Sequence, residues 1–422
     1  MKFAVILFFI FLSSVCNASN NVSVTEYGVV GDGIVDDTVA FQSALTYCAI
    51  NQTTCIIPGK KKVRITAPVY LWGKTNLVGE RGSEIQPDLI DITQRFIVNL
   101  GISGILQPEI PFTGMVKGIT FRVLSGPTDK WLNGEKTIPI AGRVIQCWNC
   151  EFTKIKGNVF EIGEYFYGAT ASQINGAYMF GLGVKHDITI EGNIINQSAT
   201  FHGQECIGIS NAQDIVIKNN HCTGAGDDLI GAHFVDGITI NDNVLRGVDG
   251  RIFLASTSNA IVKGNHVERM ASTLDGQWYQ GSTLVYVGYE YPARQHPRSE
   301  NVIIQDNVLV LPESAIDAGA VISIRGATNV LVKDNVIRND SASVTSHGIW
   351  IAPWRDPSTP VAEYELYYIE DVSIIGNKMS GDYPLKIVMT DQCVGYRGFV
   401  NIIDNDGEIG VISCPKVVNF ND

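Results

Sequence analysis

The chain is 422 residues long, 45% hydrophobic and only 18% charged, which is enough apolar content to bury a large core and rules out intrinsic disorder. Lys and Arg number 31 against 43 Asp and Glu, a net charge of −12, and the longest basic run is Lys60-Lys61-Lys62; without a concentrated cationic footprint, nucleic acid is not expected as a partner. The 42 glycines against 15 prolines, with abundant Val, Ile and Thr, favour strands and tight turns over helices.

In chain order, Met1-Lys2 carries positive charge, Phe3 to Leu12 is an apolar run, and Ser13-Ser14-Val15-Cys16-Asn17-Ala18 supplies small residues before a cut after Ala18. Residues 1–18 therefore read as a cleaved secretory signal. The apolar run is about half the ~20 residues that a membrane span needs, and no later segment is apolar enough to span. The expected location is secreted or periplasmic. Residues 19–62 read as an opening strand and a capping helix, with Asp36 as N-cap and Phe41 and Leu45 at i, i+4; such a helix covers the open end of a strand stack. Turn and cap roles account for Asp32, Asp36 and Asp37.

Of nine cysteines, removal of Cys16 leaves an even number in an oxidising compartment, where disulfides form. Cys48–Cys55 and Cys393–Cys414 are the expected pairs. Cys147-Trp-Asn-Cys150 has the spacing of a redox or zinc half-site, but no second Cys or His pair stands at ligand spacing, so it reads as a structural pair or two buried thiols. No metal site is expected from the cysteines.

A repeat then runs through residues 63–422. Ile188/Ile190/Asn193, Ile215/Ile217/Asn220 and Ile238/Ile240/Asn243 share an alternating apolar pair followed by Asn. The pattern recurs at Asn265, Asn307, Asn335, Asn377 and Asn405, and more weakly at Asn158. Alternation with period two means strand, Asn suits a left-handed turn, and a period in the twenties means one unit stacked many times. This is the signature of a parallel β-helix. Two longer gaps place loop insertions at about 272–300 and 340–370.

Counting back six residues from each repeat stacks Ile209, Ala232 and Leu254. Four residues earlier, the same count puts Glu205 over Asp228 over Gly250; five earlier, it puts Gln204 over Asp227 over Asp249. Adjacent coils lie ~4.8 Å apart, so Glu205, Asp227, Asp228 and Asp249 crowd one surface, with Arg251 on the rung of Leu229 and Cys206. Crowded carboxylates cannot all ionise normally, so one is raised and can donate a proton beside an ionised partner. Asp and Gly also fill turns for conformational reasons alone, but a solvated turn gains nothing from stacking Glu205 on the same column. His202 and His233 flank the region as substrate contacts. The insertions carry Trp278, Tyr286 and Arg294 in the first and His347, Trp350 and Arg355 in the second. Aromatic faces suit sugar rings and arginines suit carboxylate or sulfate substituents; the alternative is that each aromatic closes a loop core.

The stretch Val24-Thr-Glu-Tyr-Gly-Val-Val-Gly31-Asp32-Gly33 through Asp36-Asp37-Thr38 to Leu45 resembles the opening segment of the pectin-lyase-like superfamily. That resemblance implies an all-β chain, a single-stranded right-handed parallel β-helix with a short N-terminal capping helix. Gly203-Gln204-Glu205-Cys206-Ile207-Gly208-Ile209, followed by Asp214 to Cys222 and Gly226-Asp227-Asp228-Leu229-Ile230, is similar to polygalacturonase-type glycoside hydrolases. By that match Asp227 is the general acid, while Asp228 and Glu205 activate water for an inverting displacement. The family's Gly-His-Gly one coil later is replaced by Val248-Asp249-Gly250-Arg251, and its Arg-Ile-Lys has no counterpart. Asp249, Arg251, His202, His233, Trp278, Tyr286 and Arg294 are the expected substrate contacts. Three functions stay open: hydrolysis of an acidic polysaccharide without a cofactor, a lyase using Ca²⁺ with Arg251 as base, and non-catalytic carbohydrate binding.

Overall fold

The computed structural model describes residues 21–88, 96–101, 110–123, 131–132, 135–136, 142–162, 166–169, 185–197, 205–225, 228–248, 250–270, 283–288, 298–313, 320–341, 347–353, 368–383, 385–389, 396–406, 408–412 and 418–421. Parallel strands stack coil upon coil, each coil contributing up to three. The first row runs in register through Ile207, Ile230, Ile252, Val285, Ile322, Ile349 and Ile387. A second row runs through Ile188, Ile215, Ile238, Ala260, Val302, Val330, Val372 and Val400. The third is a separate twelve-stranded sheet. Alternate residues of the three rows point inward in most of the described strands, so like positions stack into one continuous buried core. The expected column of Ile209, Ala232 and Leu254 forms in that register.

The repeating Asn does not occupy the left-handed turn expected for it. That conformation falls on the residue before it: Asn219, Asp242, Gly264, Asp306, Asp334 and Gly376 have φ between 53° and 67°. The Asn side chain is turned inward instead. Asn158, Asn193, Asn220, Asn243, Asn265, Asn307, Asn335, Asn377 and Asn405 form a ladder in which each amide Nδ2 donates to the Oδ1 of the next. Nδ2 also donates to a strand carbonyl, Ile217 O in the case of Asn243, and Oδ1 accepts the backbone N–H of the Asn one coil earlier. Asn alone fits because a short side chain carrying both donor and acceptor satisfies the polar groups of a buried corner.

At the N-terminus the helix Thr38–Asn51 buries Phe41, Ala44, Leu45 and Cys48. Its N-cap position is Asp37, one residue later than expected. The two acids divide the work. Asp36 Oδ1 accepts from the Thr38 backbone N–H at 3.0 Å, whereas Asp37 is buried and accepts from Val30 and Gly31 N–H at 2.7 and 3.0 Å, tying down the preceding loop. Disulfides join Cys48–Cys55, Cys147–Cys150 and Cys206–Cys222. The last was not anticipated, because its partners sit in different rows and meet only inside the coil; Cys393 and Cys414 lie outside the described residues. Each segment expected as an insertion encloses a first-row strand, Val285–Gly288 and His347–Ala352. No helix among the described residues is long and apolar enough to cross a membrane.

Candidate functional site

The candidate site lies where the first row begins. Glu205 lies two residues before the strand Ile207–Lys218, and Asp228 opens the strand Asp228–Asn241 one coil later. The Cys206 N–H donates to Asp228 O at 3.2 Å, and Gln197 Nε2 donates to Glu205 O at 2.7 Å, so the backbone on both sides is held. The Cys206–Cys222 bond anchors the residue after Glu205 to the coil interior. The carboxylates of Glu205 and Asp228 and a ring nitrogen of His233 all fall within 4.8 Å of one another.

The rung expected for Arg251 is corrected by a bulge. Asp228 pairs with Arg251 while Ile230 pairs with Ile252, so Leu229 is an extra residue in its strand. Its side chain turns into the core, where only a glycine at 250 leaves room: a Cβ there would lie 2.5 Å from Leu229 Cγ. Arg251 is thereby moved opposite Asp228, and its Nε donates to Asp228 Oδ1 at 2.7 Å. The same guanidinium lies 4.2 Å from the centre of the Phe253 ring. His233 Nε2 stands 4.0 Å from Asp228 Oδ2.

Asp228 is only 3% exposed. Burial pushes its carboxyl up to about 6; Arg251 opposes the shift, the Glu205 charge adds to it, and His233 opposes it. Near neutrality it therefore exchanges a proton readily. Gly231 faces the same side between Asp228 and His233, and a Cβ there would lie 3.1 Å from Asp228 Oδ2 and 3.3 Å from His233 Nε2. The missing side chain keeps the acid and the imidazole accessible to each other.

Tyr286 belongs to a strand and not to a loop. It faces outward one coil beyond Phe253, and the rings stack at 4.7 Å, with His233 tilted against Phe253 at 5.3 Å. The structure thus brings Glu205, Asp228, His233, Arg251 and Tyr286 to one outward face. Asp227, Asp249, His202, Trp278 and Arg294 lie outside the described residues. Phe253 and Gly231 were missed by sequence reasoning, although the register already placed both on the outward side of the row. Glu205, Asp228 and His233 are the residues that could hold a cation, which would have to compete with the Arg251 guanidinium for Asp228.

The model of the family described as "right handed beta helix region" matches residues 143–359, just over half of the chain. The chain belongs to this family. It is an all-β, right-handed parallel β-helix. No curated protein sequence matches it. Among solved structures, the β-helix chain resembles PfbA, a surface adhesin of Streptococcus pneumoniae, with a TM-score of 0.63 at 16% identity over 95% of this chain and 91% of that one. The A-module of the mannuronan C-5 epimerase AlgE4 of Azotobacter vinelandii gives 0.55 at 16% identity over 95% and 100%. An exopolygalacturonase of Thermotoga maritima gives 0.51 at 13% identity over 91% and 86%. At these identities the likeness is one of fold.

Proposed function

We propose that this β-helix protein is a secreted glycoside hydrolase acting on an acidic polysaccharide. The observation that carries the proposal is the pair of buried carboxylates, Glu205 and Asp228, one of them raised to about 6, on an outward face built on rigid strands. Two carboxylates this close serve one water. Inverting enzymes place acid and base ~6.5–9.5 Å apart across the glycosidic bond, so the proton donor stands elsewhere, and the sequence resemblance assigns that role to Asp227. In this reading Asp228 and Glu205 take the proton of the attacking water, Arg251 holds Asp228 in place, His233 hydrogen-bonds a sugar hydroxyl, and the Phe253–Tyr286 stack forms the floor of the groove. The mannuronan epimerase and exopolygalacturonase among the similar folds support a link to carbohydrate, and three disulfides support an oxidising compartment.

The lyase reading has one observation in its favour, the cation-sized cluster of Glu205, Asp228 and His233. Against it, Arg251 donates to a carboxylate and stacks on an aromatic face, contacts that stabilise a charged guanidinium and oppose its use as a base. Incubation with a panel of acidic and neutral polysaccharides decides between them. Hydrolysis releases reducing ends without new ultraviolet absorbance. Absorbance that rises with cleavage and vanishes with chelator identifies elimination, and cleavage of no polymer leaves carbohydrate binding alone.

A further inference from the structure

We infer that Arg325, seated against Trp350, is a subsite for the acidic substituent of a sugar several units from the reacting bond, an inference that rests on the reading of the site as one for an acidic polysaccharide. In register along the outward face, Gly231 is followed by Phe253, Tyr286, Ser323 and Trp350 in successive coils. The parallel column two residues on is His233, Ala255, Gly288, Arg325 and Ala352. Both columns alternate with core positions, so they continue the face that carries Asp228. Arg325 stands three coils and Trp350 four coils beyond Asp228, about 14 and 19 Å at ~4.8 Å per coil. A polysaccharide laid along this face passes over Phe253 and Tyr286 before reaching them.

Arg325 and Arg251 differ in how the protein treats their charge. Arg251 is neutralised by Asp228. The Arg325 guanidinium lies 4.7 Å from the centre of the Trp350 ring, its buried Nε–H has no hydrogen-bond partner, and no carboxylate pairs with it among the described residues. A partly desolvated guanidinium whose buried Nε–H has no acceptor is costly unless a ligand supplies acceptors to the group. The aromatic face holds the guanidinium plane, leaving its edge for a carboxylate to bind in bidentate fashion. The residues before it in the column, Ala255 and Gly288, are small, and Tyr286 folds over Gly288, where a Cβ would lie 3.0 Å from the Tyr286 hydroxyl. His347 stands edge-on to Trp350 at 6.5 Å, and burial lowers its pKa, so Arg325 is the cation of this trio near neutrality.

The test is calorimetric titration of the full chain carrying Asp228→Asn with size-graded oligogalacturonates and oligomannuronates, and with neutral glucan oligomers as reference. Affinity for the acidic series is expected to rise in a step of ~10-fold or more once the oligomer reaches Arg325, as a charge-assisted bidentate contact implies. Adding Arg325→Met, which keeps the aliphatic stem over Trp350, or Arg325→Gln removes the step. Arg246→Gln, on the separate twelve-stranded sheet and paired with Glu268, keeps it. A step that survives both Arg325 substitutions in folded protein overturns the inference, as does an acidic series with no length dependence. A step in the titration with no hydrolysis of any polymer by the wild-type chain leaves the subsite standing and removes the hydrolase reading; hydrolysis by the wild type without a step does the reverse.

Discussion

Asp228→Asn removes the one carboxyl whose titration the fold moves most visibly, while keeping its shape and an oxygen for the Arg251 Nε–H. The wild-type carboxyl rises from 3.8 to about 6, roughly two pKa units, or on the order of 3 kcal/mol between protonation states. The folded chain binds this proton more tightly than the unfolded one, so the stabilisation is fully present below about pH 4 and is lost as pH rises through about 6. Relative to Asp228→Asn, wild type should therefore lose on the order of 3 kcal/mol between pH 4 and pH 7, with little change beyond. Denaturant unfolding of both proteins across this range measures the difference, in which carboxylates remote from the site cancel. Arg251→Gln, which deletes the opposing charge 2.7 Å away, should move the window upward by roughly 1–3 pH units, the usual effect of a neighbouring opposite charge. A flat difference between pH 4 and 7 would refute the desolvated carboxyl. A difference that grows in favour of wild type with rising pH would show that Arg251 outweighs burial.

Four further outcomes are expected. Asp228→Asn and Glu205→Gln should each lower turnover on the cleaved polymer by ~10²-fold or more with the fold intact, whereas Asp36→Asn should lower the melting temperature and leave turnover per folded molecule unchanged. Gly231→Ala places a methyl 3.1 Å from Asp228 Oδ2; circular dichroism should stay native while kcat/KM falls about tenfold or more, and unchanged kinetics would show that the gap is not used. Asn243→Ala strips partners from the amides of Asn220 and Asn265 and from Ile217 O, at ~1–3 kcal/mol for each buried group left unpaired, read as a fall in the denaturation midpoint several times that caused by a surface Asn→Ala. Replacing Cys206 and Cys222 together by Ala should cost about 3 kcal/mol, as expected for a crosslink closing a loop of this length, measured against wild type under oxidising and reducing conditions.

Much of the architecture was written in local pattern. Alternating apolar pairs at a period in the twenties dictate strands stacked in parallel, because a two-residue period buries one face only and each coil needs a neighbour to cover it. The same periodicity sufficed to stack Ile209, Ala232 and Leu254 and to put Glu205 beside Asp228, since register in a parallel stack follows from counting. Counting fails where the chain departs from one residue per rung. The bulge at Leu229 depends on space beneath Gly250, a tertiary fact, and it alone sets Arg251 on Asp228. The turn preference of Asn was likewise a local argument, and the buried amide ladder overrode it because the corner's polar groups have no water to satisfy them. The Cys206–Cys222 bond joins two rows through the coil interior, and the Arg325–Trp350 contact joins two coils. Sequence spacing along one strand carries no record of either, and neither does the pKa of Asp228, which is decided by burial and by charges brought from other coils.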